Sequence, residues 1–420
     1  MLNKRDIINF LYLISFPCYG VGAYVSAAFS PALGYIFSIL VHLIIIVFYV
    51  IDLLYKNEVK LKINWIYFLV VVMQLTGVVS LLIALSKNMP ALNFLGVSTR
   101  SILLIVPFQA FIVVFLYNEK HKETFAKLTF NSWSLLLLIN VIGYFGLGLS
   151  NEVHSIEGRI TFPFLDGFYT GASLLAILNL MLLFYIRKSF DDPLRLTYLI
   201  AYFLVNLAFL YYINSRLCLL IFSGVVIVFV FNLTNRFRGV FLLSIFTLPI
   251  LLNVGLVLYR VLSLPVFALV MKRTDLVDVT TFNGRSFLWQ RALDWLMYDQ
   301  RGLIFGNGAG GHYSLHLVRD IAKLWFAKEM DLHLHSTVLM TVVDQGLFGY
   351  ILLLLVTFQV FRYYRNEFQR NGHDAIFFPA VIFVIFLMQV DMFLYSGTLG
   401  YSILSVLAAR VAVNFKSSLA

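Results

Sequence analysis

The chain has 420 residues, of which 61% are hydrophobic and only 12% charged, and its 31 Lys and Arg against 21 Asp and Glu give a net charge of +10 at pH 7. Soluble domains carry about 25% charged residues and about half apolar ones. This composition excludes a water-soluble enzyme, a disordered chain and a fibrous repeat. It predicts an all-α polytopic membrane protein, because only lipid can surround so much apolar surface.

Twelve apolar runs have about the 20 residues that a helix needs to cross the hydrocarbon core of a membrane. The first run follows Lys4 and Arg5 as in a signal peptide, but it lacks a small-residue cleavage site and is expected to remain as a span. Cys18 and Cys218 lie inside runs, so no disulfide framework is expected. The sequence thus predicts one membrane domain, 1–420, with about 12 transmembrane helices at 7–29, 33–54, 64–86, 96–117, 128–149, 168–186, 196–213, 217–234, 239–263, 335–361, 375–395 and 398–415.

The basic residues fall at the ends of these runs, which is a topology signal and gives no reason to expect nucleic acid as a partner. With the N-terminus in the cytoplasm, the cytoplasmic segments hold 18 Lys and Arg, whereas the short outer segments hold only Lys87, Arg100, Arg159 and Arg216. Basic residues concentrate on the cytoplasmic side of membrane proteins. Both termini are therefore predicted to be cytoplasmic, and residues 264–334 are predicted to form a large outward-facing loop.

Two arginines stand out in the predicted outer connections. Arg159 lies in the loop before the sixth run, and Arg216 closes the short connection Asn214-Ser215-Arg216 between the seventh and eighth runs. Ionisable groups at membrane depth are costly and are usually functional. A solvated loop residue is an equally good interpretation of Arg159, and snorkelling to lipid headgroups is an equally good one of Arg216.

The long outer loop is predicted to contain an amphipathic helix at the membrane interface. Arg285 stands at its start, where helix N–H groups and a guanidinium can share an anion. The following residues 302–311 are rich in glycine but lack the Lys-Ser/Thr of a nucleotide P-loop, which favours a tight turn. The helix is indicated by two tryptophans, one of them Trp289, and by one apolar face made of Leu288, Ala292, Trp295 and Leu296.

The stretch Asp331-Leu332-His333-Leu334-His335-Ser336 runs directly into the tenth apolar run, and Asp344 follows inside that run. A histidine at the start of a membrane helix is well placed to accept a proton, since its reference pKa is about 6.5. A polar cap for the span and a zinc site are the other interpretations. Zinc is not assigned, because no carboxylate ligand stands at helical spacing from the histidines. Asp344 either orients a basic partner or is a paired structural charge.

Taken in order, these stretches resemble the O-antigen ligase and O-antigen polymerase (Wzy) family of bacterial inner membranes. The resemblance implies a multi-pass glycosyltransferase with a periplasmic active site that uses undecaprenyl-diphosphate-linked oligosaccharide and polysaccharide. Membrane lipids, a chain-length regulator protein and a flippase are the expected partners, and no cofactor is expected. The resemblance covers about residues 150–350 and is carried by Arg159, Ser215-Arg216, Gly284-Arg285 with Trp289, Phe305-Gly306 with Gly308, His335 and Asp344-Gln345-Gly346, with Ser336 where the family often has Asn.

The resemblance also implies roles for individual residues. His335 accepts the proton of the acceptor hydroxyl, Arg216 and Arg285 bind the diphosphate, and Arg159 joins them or holds the acceptor sugar. Asp344, Trp289 and His333 are expected to support these residues. A guanidinium binds phosphate oxygens in a bidentate fork, which predicts direct, metal-independent transfer with inversion at the sugar C1.

Three activities remain open at this point. A polymerase transfers the growing glycan onto a lipid-linked repeat unit, and the 282–289 run favours it slightly over a ligase that transfers polymer onto lipid A–core. A lipid-linked oligosaccharide flippase or another transporter is the alternative from a different class. Its central charges are expected near the middle of the membrane, whereas the residues named above cluster on the predicted outer side.

Overall fold

The structure is a computed structural model that describes residues 3–55, 63–87, 93–119, 121–150, 160–165, 167–233, 285–326, 330–394 and 398–414. Within these ranges every regular element is helical. Arg159 and the predicted ninth run 239–263 lie outside the described residues. The helices are α1 (Lys4–Ala28), α2 (Pro31–Leu54), α3 (Trp65–Ser86), α4 (Phe94–Tyr117), α5 (Lys122–Val141), α6 (Gly167–Lys188), α7 (Pro193–Ile213), α8 (Arg216–Val230), α9 (Arg285–Asp294), α10 (Gly311–Ser314), α11 (Arg319–Phe326), α12 (Thr337–Gln369), α13 (Phe378–Val390) and α14 (Leu399–Asn414).

In the described part of the chain, nine helical segments are long and apolar enough to cross a membrane, and α8 and Leu399–Val413 are shorter apolar helices. Their outer faces carry large apolar side chains such as Phe68, Val79 and Ile351, which are 58%, 53% and 52% exposed. Such a surface is stable only against lipid. The expectation of a helical multi-pass membrane protein is therefore confirmed, while the count of 12 spans and the cytoplasmic termini remain predictions.

Ion pairs with buried carboxylates mark one end of the bundle. Lys4 at the start of α1 binds Asp52 near the end of α2, and Arg410 of α14 donates from Nε to Asp374 Oδ2 at 2.6 Å. The Arg410 guanidinium also lies 5.3 Å from the ring of Phe115, near the end of α4. A buried charge is costly unless it is paired, so these contacts fix how the helices meet at this end.

The opposite end holds the predicted site residues that the structure describes, and successive helices reach it in alternate directions. It contains the starts of α6, α8 and α12 and the ends of α3 and α13. The segment from α9 to α11 lies over this end, where Leu288 and Trp289 of α9 share a buried cluster with Leu339 and Val343 of α12. The predicted site residues that the structure describes therefore come from helix ends on one side of the bundle.

Candidate functional site

The start of α12 is fixed to the segment that leaves α13. The Thr337 backbone N–H and hydroxyl both donate to the Asp391 carbonyl, at 3.0 Å and 2.9 Å. The Thr337 hydroxyl oxygen in turn accepts from the backbone N–H of Phe393 at 3.0 Å. The α13 helix ends at Asp391, whose backbone is extended. These bonds satisfy backbone groups that a helix end would otherwise leave unpaired, and they place residues 335 and 391 side by side.

His335 stands immediately before α12 in a left-handed backbone conformation with φ of 47°. Non-glycine residues rarely adopt this region, so surrounding contacts must hold it. Trp289 Nε1 donates to the His335 carbonyl at 3.4 Å. Ser336 caps α12, since its hydroxyl accepts from the Leu339 N–H at 3.3 Å. Ser and Asn are both preferred at this cap position, so Ser336 suits it.

The His335 ring faces a buried carboxylate. Its Nδ1 lies 3.5 Å from Asp391 Oδ1, and the two side chains are 36% and 9% exposed. Hydrogen bonds of catalytic groups are often long before substrate binds. Because Asp391 occupies the Nδ1 side, the ring directs Nε2 away from the carboxylate. His335 is thus a partly exposed imidazole supported by a buried acid, which is the arrangement of a general base and its orienting carboxylate.

Arg285 holds the other side of this carboxylate. Its Nη2 lies 3.9 Å from Asp391 Oδ1 and donates to the Tyr169 hydroxyl at 3.0 Å, while Nη1 donates to the Val390 carbonyl at 2.7 Å. Burial raises the pKa of the Asp391 carboxyl, but Arg285, His335 and the Met392 N–H outweigh burial and keep this pKa below its ordinary value. Asp391 is therefore ionised at neutral pH, and two of the five Arg285 N–H donors are used by protein groups.

The predicted helix is present as α9 and continues into the π-helical turn Trp295–Asp299, and its predicted face is buried except for Leu296, which is half-buried. Leu288, Ala292 and Trp295 are buried together with Trp289, which the one-face pattern did not include. Leu217 and Ile221 of α8 pack against the same cluster. The apolar face of α9 therefore contacts the protein, which makes α9 the element that carries both Arg285 and Trp289 into the site.

Arg216 is the first residue of α8 and is half-buried. Cys218, two residues further on, is close enough to Asp391 and Arg285 for their charges to act on its thiol. Its Sγ also lies 3.5 Å from the hydroxyl of Ser173, one turn after Tyr169. The start of α8 thus borders the Arg285–Asp391 pair. A helix N-terminus attracts anions, and the Arg216 charge adds to this effect.

Asp344 and His333, two further predicted site residues, belong to a second polar group beside His335. His312 Nδ1 lies 3.3 Å from Asp344 Oδ1, and the Gly310 N–H donates to Asp344 Oδ2 at 3.0 Å. The Tyr313 hydroxyl lies 2.9 Å from Nε2 of His333, whose ring is 6.4 Å from that of His335. Burial, with the neighbouring His312 and His335, lowers the pKa of His333 to about 4. Asp344 is therefore held by protein groups, and His333 is neutral near pH 7.

The glycine-rich segment forms a turn that covers a break in α12. Gly346 interrupts the helix with φ of 72° and ψ of −175°. The Leu347 N–H donates to the Leu303 carbonyl at 2.7 Å, and the Gly308 N–H donates to the Asp344 carbonyl at 3.0 Å. Irregular backbone at membrane depth is tolerated only where protein groups satisfy it. A Cβ at Gly306 would lie 2.2 Å from the Asp344 carbonyl oxygen, so this close approach requires glycine.

No group of three or more His, Cys, Asp or Glu side chains is arranged to hold a metal ion in the residues that the structure describes. His316 pairs with Asp331 at 3.2 Å on the surface, while His312 pairs with Asp344 at 3.3 Å in the interior. The two histidines therefore belong to separate pairs.

Two residues of the site were missed in the sequence. Asp391 lies near the end of the predicted run 375–395, and Tyr169 lies near the start of the run 168–186. An acid in an otherwise apolar run is a signal of function, and it could have identified Asp391. A tyrosine at a membrane interface is common, so Tyr169 gave no such signal.

In comparisons with known proteins, no family model matches the chain, and no curated protein sequence matches it. The chemistry of the site must therefore carry any functional assignment.

Proposed function

We propose that the chain is a bacterial inner-membrane glycosyltransferase with a periplasmic active site. It transfers a growing glycan from undecaprenyl diphosphate onto a lipid-linked repeat unit, as an O-antigen or related polysaccharide polymerase. The observation that carries this proposal is the group His335–Asp391–Arg285, in which a partly exposed imidazole is backed by a buried carboxylate and a guanidinium. This group lies at one end of an apolar bundle, where a lipid-linked sugar diphosphate is placed by its own chain.

The reaction follows from the chemistry of these groups. The acceptor hydroxyl oxygen attacks C1 of the donor sugar and its proton passes to His335 Nε2, while the C1–O bond to the diphosphate breaks and its electron pair leaves with the diphosphate. Direct displacement inverts the configuration at C1. Proton removal in the transition state contributes typically about 10²–10⁴-fold to the rate. Asp391 stabilises the imidazolium that forms, as the carboxylate does in other acid–histidine pairs.

The leaving diphosphate needs positive charge. Arg285 is buried and already shares its charge with Asp391, so its first role is to hold that carboxylate, and we assign its remaining N–H donors to the leaving group. Arg216 at the start of α8 supplies a second positive charge, together with the N-terminal end of the helix. Guanidinium–phosphate pairs are the strongest class of hydrogen-bonded contact in proteins. Arg159 retains its proposed role in binding donor or acceptor.

The alternatives differ in what they require of this site. A ligase uses the same chemistry on a lipid A–core acceptor, so the catalytic residues do not separate it from a polymerase. A flippase needs its charges near the middle of the membrane. The position of His335, Asp391 and Arg285 at helix ends supports an enzyme over a transporter.

The test is transfer by the purified, reconstituted protein from a synthetic undecaprenyl-diphosphate glycan to a lipid-linked repeat unit. His335→Ala should abolish transfer, whereas the matched variant His316→Ala, in the exposed pair with Asp331, should keep it. Transfer only to lipid A–core would identify a ligase. Glycan movement across vesicles without any transfer would contradict the enzyme and support the flippase.

A further inference from the structure

A cavity adjoins the candidate site between α3, α4, α12 and α14. Its wall is mostly apolar and includes Met73, Leu81, Leu104, Met340, Leu353 and Leu404. At a rise of about 1.5 Å per residue, Met73 and Leu81 are separated by about 12 Å along α3. The cavity therefore extends from the level of the site toward the interior of the bundle, and it has an elongated apolar lining.

The polar groups in this wall already have partners in the protein. The Ser80 hydroxyl donates to the Asp344 carbonyl at 3.0 Å, and the Thr341 hydroxyl donates to the Thr337 carbonyl at 2.7 Å. The Asp344 carboxylate is held by Gly310 and His312, as described above. A polar ligand would find few open partners here, whereas a hydrocarbon chain needs none.

The cavity lies next to the catalytic group. Thr337 and Met392 both line it, and they flank the segment that carries Asp391. Thr337 holds the Asp391 carbonyl, and Met392 donates its N–H to the Asp391 carboxylate at 2.8 Å. A donor whose diphosphate lies at Arg285 and His335 therefore has its isoprenoid chain beginning close to this apolar cavity.

We propose that this cavity holds the isoprenoid chain of the lipid-linked donor, in the part nearest the diphosphate. The inference rests on the proposed function, which supplies the diphosphate head at the site. Each methylene group of the isoprenoid chain adds to donor affinity only where the cavity wall buries it. The length of the cavity therefore sets how much of the isoprenoid chain contributes to binding.

Gly77 offers a way to fill the cavity without moving the backbone. It lines the cavity from α3, and a Cβ at this position would meet only the Leu104 side chain, at 3.2 Å. Gly77→Leu therefore adds bulk inside the cavity. Gly224→Leu is the matched control, since Gly224 lies in α8 with nothing within 4 Å of an added Cβ.

The experiment compares two donors that carry the same glycan diphosphate, one on an isoprenoid chain and one on a methyl group. Excluding about two methylene groups from the cavity should raise KM for the isoprenoid donor about tenfold in Gly77→Leu. KM for the methyl donor should be unchanged, and Gly224→Leu should behave as wild type with both. An unchanged KM for the isoprenoid donor, or an equal change for both donors, would overturn the inference.

Native mass spectrometry tests for a different occupant of the cavity, the acyl chain of a phospholipid. A co-purified phospholipid that is lost in Gly77→Leu while every KM stays constant would assign the cavity to an acyl chain instead. If the wild-type protein transfers glycan from neither donor, the proposed function is wrong, and the occupant of the cavity needs a separate test. A glycan-free isoprenoid diphosphate with a photoreactive chain then tests the cavity alone: attachment at Met73 or Met340 supports the inference, and attachment confined to lipid-facing residues overturns it.

Discussion

Replacement of Asp391 by Asn should reduce catalysis without unfolding the site. The contacts that join α12 to the end of α13 use the Asp391 carbonyl, and an Asn side-chain oxygen can still accept the Met392 N–H. The substitution therefore removes the charge and leaves the local structure. The measured quantity is kcat in single-turnover transfer with a saturating lipid-linked donor.

The expected loss follows from the distance between the charges. His335 Nδ1 and Asp391 Oδ1 are 3.5 Å apart, and with an effective dielectric constant of about 20 their attraction in the protonated state is about 5 kcal/mol. The His335 side chain is 36% exposed, so solvent screening reduces this to about 2 kcal/mol. That corresponds to a decrease of about 30-fold in kcat. KM for the donor should not rise, because Arg285 loses its counter-charge and keeps its donors for the diphosphate.

Asp331→Asn is the matched control, since Asp331 pairs with the exposed His316 in the same outer segment. It should retain the wild-type kcat and the wild-type melting temperature. If Asp391→Asn also retains the wild-type kcat with an unchanged melting temperature, Asp391 does not act through His335, and the assignment of this pair as base and orienting acid is wrong.

Four further predictions address Arg216, the helix break at Gly346, His333 and the topology. Arg216→Lys should slow transfer at least about tenfold, because Lys keeps the charge but loses the bidentate fork; a wild-type rate would place the diphosphate elsewhere. Gly346→Ala should lower stability by about 2 kcal/mol or more, since its φ is 72° and its Cβ would lie 2.3 Å from the Ile304 carbonyl oxygen, whereas Gly224→Ala should not lower the melting temperature. The pKa of His333 is lowered from 6.5 to about 4, so between these pH values the unfolded chain binds a proton that the folded chain does not. The free energy of unfolding should therefore fall as pH decreases from 6.5 to 4. His333→Asn should flatten this part of the pH–stability profile. A cysteine introduced at Ser314 should react with an impermeant maleimide in spheroplasts and one at Asn371 should not, and the reverse pattern would place the site in the cytoplasm.

The sequence alone determined the membrane-spanning character of the chain and most helix positions. The runs 33–54 and 64–86 correspond closely to α2 and α3, because the length of an apolar run is set by the thickness of the membrane and needs no tertiary information. Periodicity also predicted the face formed by Leu288, Ala292, Trp295 and Leu296, of which the first three are buried. This signal is local too, since it depends only on the helical repeat.

Tertiary structure alone decided which polar residues meet. Asp391 is 56 residues from His335 and 106 from Arg285 along the chain, and nothing in the spacing relates an acid at the end of one span to a histidine at the start of another. Only the antiparallel packing of α12 and α13 brings them within 3.5 Å. The packing of α10 against α12 pairs Asp344 with His312, and His335 is left to Asp391. Local sequence fixes helix length and apolar faces because these depend on neighbouring residues, whereas the partner of a buried charge depends on how distant helices pack.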